Sequence, residues 1–143
     1  NLFPSAVFYS QLSEITSQSA SSILIIDSIG ILSRLYHYAY ITYVGGGFTR
    51  DGIHNILEAA VYGKPVVFGP VYKKYREAIE LIGAEGAKSF STSYELKQIF
   101  FTLLNDTTDY NQKCEASKRY VQQNEGATEK ILSFIQEKRL LTN

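Results

Sequence analysis

Tyr43-Val44-Gly45-Gly46-Gly47-Phe48, followed by Gly52-Ile53-His54-Asn55-Ile56-Leu57-Glu58-Ala59-Ala60, decides how this chain is read, because it runs a strand into a glycine turn and the turn into a helix with a polar head. Ile41 to Val44 is β-branched and aromatic, as strands are. Three glycines let the backbone turn sharply and approach a ligand without Cβ interference. The pattern predicts a helix opening near His54, whose first N–H groups lack intrahelical acceptors and whose dipole is positive at that end. Such a turn is suited to a phosphate or carboxylate. At helical spacing His54, Asn55, Glu58 and Tyr62 fall within about a third of the circumference, opposite Ile56, Leu57, Ala60 and Val61. One face is expected to be core, and the other a site.

Outward from this stretch, strands and helices alternate. Ser22 to Ile26 is a continuous aliphatic run suited to a sheet covered on both faces, and Ala6 to Tyr9 is a second candidate strand. Between them, Gln11 to Ser22 is expected to carry a short helix and a polar connection. Asp27-Ser28 ends the strand and is placed to cap the next helix. Ile29 to Tyr38, with Leu32, Leu35 and Tyr36 at helical spacing, reads as a crossover helix into the strand Ile41 to Val44. Beyond the glycine turn, Gly63-Lys64-Pro65 stops the helix, Val66-Val67-Phe68 is a buried strand, and Gly69-Pro70 ends it.

Tyr75 to Ile82 is predicted to be helical and Ala87 to Ser89 to be a short strand. Ser93 to Leu104 is a helix capped by Thr92 or Ser93, with Leu96, Ile99, Phe100 and Leu103 inward. Asp109 to Arg139 reads as two helices divided around Glu125-Gly126, the second with Ile131, Leu132 and Ile135 on one side. The alternation implies a Rossmann-like, doubly wound, mainly parallel α/β sheet with its ligand crevice at the carboxyl ends of the strands. The glycine turns near Gly30 and Gly45 both fall at such ends.

Composition narrows the function. Lys+Arg and Asp+Glu are both 14, so no overall field favours nucleic acid, and anion binding must come from local geometry. The chain is long enough for one domain with its own core. Cys114 has no cysteine partner, and its neighbours Asn111, Gln112, Lys113 and Glu115 suggest an inert place on a helix surface in a reducing compartment. No apolar run approaches the roughly 20 residues of a membrane span. Asn1 to Ser10 has neither the basic start nor the apolar stretch of a signal peptide, and it reads as the interior of a longer protein.

The residues leave several roles open. The triplet Gly45 to Gly47 matches neither G-x-G-x-x-G nor a Walker A loop, and a tight turn would also explain it. Asn55 and Glu58 have capping-box spacing, yet a carboxylate there is equally placed to accept two ribose hydroxyl bonds. His54 fits an acid/base group, an anion donor or a loop histidine held by backbone. Lys73, Lys74 and Arg76, interleaved with Tyr72 and Tyr75, read either as a solvated helix start or as a source of one cation, such as Lys74, for an anionic ligand. No second histidine or cysteine stands at ligand spacing beside His54 or His37, so no metal is expected.

Taken in order, Asp27-Ser28-Ile29-Gly30, Tyr43-Val44-Gly45-Gly46-Gly47, His54-Asn55-Ile56-Leu57-Glu58-Ala59-Ala60, Gly63-Lys64-Pro65-Val66, Gly69-Pro70 and Asn124-Glu125-Gly126-Ala127 resemble the carboxyl-terminal half of 3-deoxy-D-manno-octulosonic acid (Kdo) transferase. That family consists of GT-B glycosyltransferases of lipopolysaccharide synthesis. The chain departs from its pattern at Ile31, Gly47, Ile53 and Ala59, and carries Lys74-Tyr75 where the family often has Asn-Phe.

The resemblance implies that residues 1–143 form a nucleotide-sugar domain binding the CMP part of CMP-Kdo. Gly30 would line the nucleotide, Gly46, Gly47 and Asn55 would hold the phosphate region, and Glu58 would take the ribose hydroxyls. His54 and Lys74 complete the candidate donor-binding set. Transfer to a lipid A precursor would occur, with inversion and without metal or other cofactor, in the cleft with an amino-terminal domain. The catalytic carboxylate would lie in that domain, outside this chain, which alone would be soluble and inactive. The full-length enzyme would work at the cytoplasmic face of the bacterial inner membrane. Alternatives are a GT-B enzyme using a UDP-sugar and a non-catalytic Rossmann-like interaction module.

Overall fold

The structure, a computed structural model, describes residue 3, residues 5–14 and residues 22–138. Its elements run β1 (Val7–Phe8), a 3-10 turn (Tyr9–Glu14), β2 (Leu24–Ile25), α1 (Leu32–Leu35), a 3-10 turn (Tyr36–Tyr38), β3 (Thr42–Val44), α2 (Leu57–Ala60), β4 (Val66–Phe68), α3 (Arg76–Gly83), β5 (Ala87–Ser89), α4 (Ser93–Asn105), α5 (Thr107–Asn124) and α6 (Ala127–Glu137). Every strand pairing is parallel, with β4 between β3 and β5 and with β1 beside β2. Among the described residues the strands therefore form two ladders where one continuous sheet was expected.

Strand β4 explains why the fold is layered on both sides. All three of its residues are buried, and successive side chains of a strand leave opposite faces. Val66 and Phe68 join Val44, Ile53, Ile56, Ala59, Ala60, Ala78, Leu81 and Tyr120, a core supplied by α2, α3 and α5. Val67 goes the other way, to Phe90 and Leu103, with Ile41, Leu96, Ile99, Phe100 and Tyr110 around them. This is the doubly wound α/β arrangement, and it places the loops after β3 and β4 side by side at one end of the sheet.

Local signals account for the later elements. Thr92 Oγ1 accepts the Glu95 amide at 3.2 Å while the Glu95 carboxylate accepts the Ser91 amide at 2.7 Å, so α4 starts where the sequence placed it. Asp106 similarly accepts the Asp109 amide at 3.0 Å and starts α5. Gly126, at φ +88, separates α5 from α6. The predicted end at residue 139 lies outside the described residues, as does 15–21 of the polar connection.

Several expectations are corrected. Asp27 does not cap α1; its carboxylate accepts the Ser10 hydroxyl at 2.6 Å and the Ser10 amide at 3.1 Å. Those two bonds, the hydroxyl foremost, hold its pKa below the ordinary value. The crossover from Ile29 to Tyr38 is not one helix but a single turn followed by a 3-10 turn, with Leu32 exposed. The surroundings of Cys114 are not uniformly surface: Lys113, 6% exposed, lies along α5 with buried Ala116 and Ser117, and its ammonium reaches Asp109 at 2.9 Å. The Ser117 hydroxyl donates to the Gly86 carbonyl at 3.0 Å. On α6, Ile131 and Leu132 are exposed and Ile135 is half-buried. No described helix is long and apolar enough to cross a membrane.

Tyr120 ties α5 to α3, donating to Glu80 Oε2 at 2.9 Å, and Glu80 also accepts from Arg76 Nε at 2.6 Å. Burial, then the Glu80 bond, push the Tyr120 phenol from its ordinary 10.0 up to about 12. A pKa raised by folding favours the protonated native form. The stabilisation is therefore complete below pH 10 and is lost as pH rises through about 12. Spectrophotometric titration is expected to show a phenol ionising near pH 12 that Tyr120→Phe removes. An unchanged titration curve in that variant would refute the assignment.

Candidate functional site

Strand β3 ends at Val44, and the next residues cross the carboxyl end of the sheet in a stitched loop. Gly46 and Gly52 occupy left-handed backbone at φ +86 and +78, which side chains other than glycine rarely adopt. The Gly46 carbonyl accepts from the Thr49 amide at 3.0 Å and the Thr49 hydroxyl at 2.9 Å, and the Gly52 amide donates to the Thr49 carbonyl at 3.1 Å. The His54 amide donates to the Gly45 carbonyl at 3.1 Å, closing the loop on itself.

The loop after β4 locks the other side. The Val71 amide donates to the Gly47 carbonyl at 2.9 Å, and the Val71 carbonyl accepts the Ile53 amide at 3.2 Å. Gly47 lies so close to Gly69 that a methyl on Gly47 would stand 2.6 Å from the Gly69 nitrogen. Both glycines are there for close backbone approach. Ile53 and Ile56 bury their side chains beneath the loop and leave His54 and Asn55 exposed between them.

Helix α2 opens at Leu57, three residues later than the expected start near His54, and is a single turn. Ile56, Ala59 and Ala60 face the core, whereas Leu57 and Val61 are 40% and 52% exposed, against the expected inward positions. The reason is the depth of the loop, which takes up residues 45–56 before helical geometry begins. One turn aligns too few peptide dipoles for a substantial macrodipole. The loop amides of Gly46, Gly47, Asn55 and Ile56 have no acceptor among the described residues.

Asn55 and Glu58 do not form the reciprocal capping box. Asn55 Oδ1 accepts the Leu57 amide at 3.0 Å, and Asn55 Nδ2 donates to Glu58 Oε1 at 3.1 Å. The Glu58 carboxylate is thus oriented by a side chain. It sits beside Tyr36, whose phenol is pushed upward first by burial and then by the Glu58 charge. His37 meets Tyr62 edge-on at 5.6 Å, so the turn after α1 is docked against α2 by two neighbouring contacts.

Gly46, Gly47, His54 and Asn55 are brought together on one loop, with Glu58 in the helical turn that follows it. Lys74 joins them at Gly52, where its Cε would lie 3.2 Å from an added Cβ. Gly30, at φ +89 after β2, stands apart, with no heavy atom within 4 Å of an added Cβ. Sequence reasoning did not single out Tyr36, Val71 or the Gly47–Gly69 approach. The signal for the last was a second glycine at a neighbouring strand end, legible only once β3 and β4 are known to be adjacent.

No protein-family model matches the chain. A 3-deoxy-D-manno-octulosonic acid transferase from Aquifex aeolicus is 40% identical over 65 residues, covering 46% of this chain and 18% of that protein. One from Rickettsia bellii is 28% identical over 114 residues, 78% of this chain and 27% of its own length. A bifunctional glycosyltransferase/methyltransferase from Fusobacterium nucleatum is 30% identical over 135 residues, 94% of this chain and 18% of that protein. The chain thus spans 18–27% of the length of these relatives. Its fold matches the crystal structure of the C-terminal CMP-Kdo binding domain of WaaA from Acinetobacter baumannii, with a TM-score of 0.70 at 22% identity over 82% of this chain and 61% of that one. By sequence the chain is similar to 3-deoxy-D-manno-octulosonic acid transferases, and its fold is that of the carboxyl-terminal half of the GT-B architecture.

Proposed function

We propose that this chain is the donor-nucleotide domain of a glycosyltransferase that moves Kdo from CMP-Kdo to a lipid A precursor. The observation that carries this reading is the loop from Gly45 to Glu58, which combines unpaired backbone amides with a carboxylate oriented by Asn55. Amides suit the phosphate, and the carboxylate suits a vicinal pair of ribose hydroxyls. The sequence relationship to Kdo transferases supports the identity of the donor. As the sugar departs, charge gathers on the CMP phosphate, and donors held in place before the reaction stabilise it without reorganising.

In this reading Gly46, Gly47 and Asn55 hold the phosphate, Glu58 the ribose, His54 and Lys74 the rim, and Gly30 the far wall of the nucleotide. The acceptor and the carboxylate that activates it belong to an amino-terminal domain of the same enzyme, and catalysis occurs at the cytoplasmic face of the inner membrane.

Titration of the chain with CMP, followed by amide NMR, is expected to shift Gly46, Gly47, Asn55 and Glu58, with CMP outcompeting UMP and UDP. Glu58→Ala is expected to weaken CMP binding roughly tenfold or more, the range of lost hydrogen bonds to a charged group. Amides unmoved by millimolar CMP in folded protein would defeat the reading, and preference for UDP would redirect it to another GT-B donor.

A further inference from the structure

The loop that carries the unpaired amides has no regular structure of its own, so something rigid must hold it, and one side chain reaches in from a helix. Tyr75 stands immediately before α3. Its amide donates to the Tyr72 carbonyl at 2.8 Å, and its own carbonyl accepts the amides of Ala78 and Ile79. Its ring packs against the core beneath the sheet end. From that mount the phenol hydroxyl donates to the Asp51 carbonyl, across the glycine loop.

The next residue, Gly52, is shaped around this contact. A methyl there would meet Tyr75 Cε2 at 2.8 Å and the Val71 carbonyl oxygen at 2.7 Å, and the backbone is left-handed at φ +78. Lys74 shares the arrangement, its ammonium 5.2 Å from the centre of the Tyr75 ring, within the range of a cation–π contact. One anchored ring therefore braces the loop and places a cation at its rim, beside the Val71 backbone, which bonds Gly47 and Ile53.

We propose that Tyr75 is a positioning residue for anion binding, its hydroxyl holding the 46–53 loop, and its ring the Lys74 ammonium, in the arrangement that receives the ligand phosphate. The proposal rests on the donor-nucleotide reading of this loop. It assigns the hydroxyl a task separate from the ring: the ring fills space, and the O–H fixes the loop. A loop released from Asp51 samples other conformations and loses entropy when ligand binding reorders it.

The test compares the 143-residue protein with Tyr75→Phe, which keeps the ring, and with Tyr72→Phe as a control whose ring packs on Phe68. Three measurements are made: amide hydrogen exchange of Gly52 in ligand-free protein, affinity for CMP and for inorganic phosphate, and the thermal midpoint. Tyr75→Phe is expected to exchange faster at Gly52 and to bind both ligands about two- to tenfold more weakly, the range for one lost neutral hydrogen bond. Its thermal midpoint should stay close to that of the parent, and Tyr72→Phe should match the parent in exchange and affinity. Unchanged exchange and unchanged affinity in Tyr75→Phe overturn the proposal. If the parent itself binds neither ligand, the nucleotide reading fails, and the exchange measurement alone decides whether Tyr75 holds the loop.

Discussion

Phe68→Ala is expected to lower the unfolding free energy by about 3–5 kcal/mol, the usual cost of emptying a buried phenylalanine site. The ring is fully buried at the end of the central strand β4. It belongs to the cluster with Val44, Ile56, Ala78 and Leu81, and meets Tyr72 at 5.4 Å between centroids. The cavity would be walled by a strand on one side and by helices on the other, which cannot collapse into it without breaking the parallel ladder. A domain has about 5–15 kcal/mol in total, so this loss removes a large share. Urea unfolding should show a lower midpoint with little change in slope. Phe101, 65% exposed on α4, is the control, and its alanine variant should stay within about 0.5 kcal/mol of the parent. Equal losses at the two positions would mean that the core is misplaced.

Gly47→Ala is expected to cost about 2–4 kcal/mol and to abolish anion binding, although it adds only a methyl group. That methyl would stand 2.6 Å from both the nitrogen and the Cα of Gly69, which are backbone atoms and cannot rotate aside. The loops after β3 and β4 must then part, which combines overpacking of about 1–3 kcal/mol with the loss of the Val71 amide bond to Gly47, about 1 kcal/mol. Gly69→Ala should behave alike, since its methyl would meet the Gly47 carbonyl at 2.7 Å. Gly83→Ala provides the contrast. Nothing lies within 4 Å of its added methyl, and Gly83 ends α3, so the better helix former should leave stability unchanged or slightly raised. Thermal melts of the three variants separate a steric requirement from a general dislike of replacing glycine. A Gly47→Ala protein as stable as the parent would show that the close approach of the two loops is not required.

Particular elements show how far local sequence carries. Val66 to Phe68 is a continuous apolar run between Lys64-Pro65 and Gly69-Pro70, and a strand covered on both faces needs nothing more to be recognised. Ala87 to Ser89 and the start of α4 at Thr92 are equally legible, because turn and cap chemistry act over three or four residues. Helix α2 is not. Its apolar spacing extends from Ile53 through Val61, but the loop ties at Gly45, Thr49 and Val71 hold the first residues out of helical geometry. The spacing of Asn55 and Glu58 admits either a capping box or a ligand site, and the structure replaces the reciprocal box with a bond from Asn55 that orients the Glu58 carboxylate, an outcome spacing alone does not select.

The sequence by itself determined the α/β alternation, the glycine turn at the end of β3 and the polar residues after that turn, since hydrophobic period, glycine conformation and caps are properties of neighbouring residues. Only the tertiary structure decided that Gly47 must face Gly69, that Tyr75 reaches Asp51, that Lys113 is buried against Asp109 and that Leu57 and Val61 stay outside. Each of these depends on which strands are adjacent and how deep a loop runs across their ends, and that is set by burying the two faces of β4 at once.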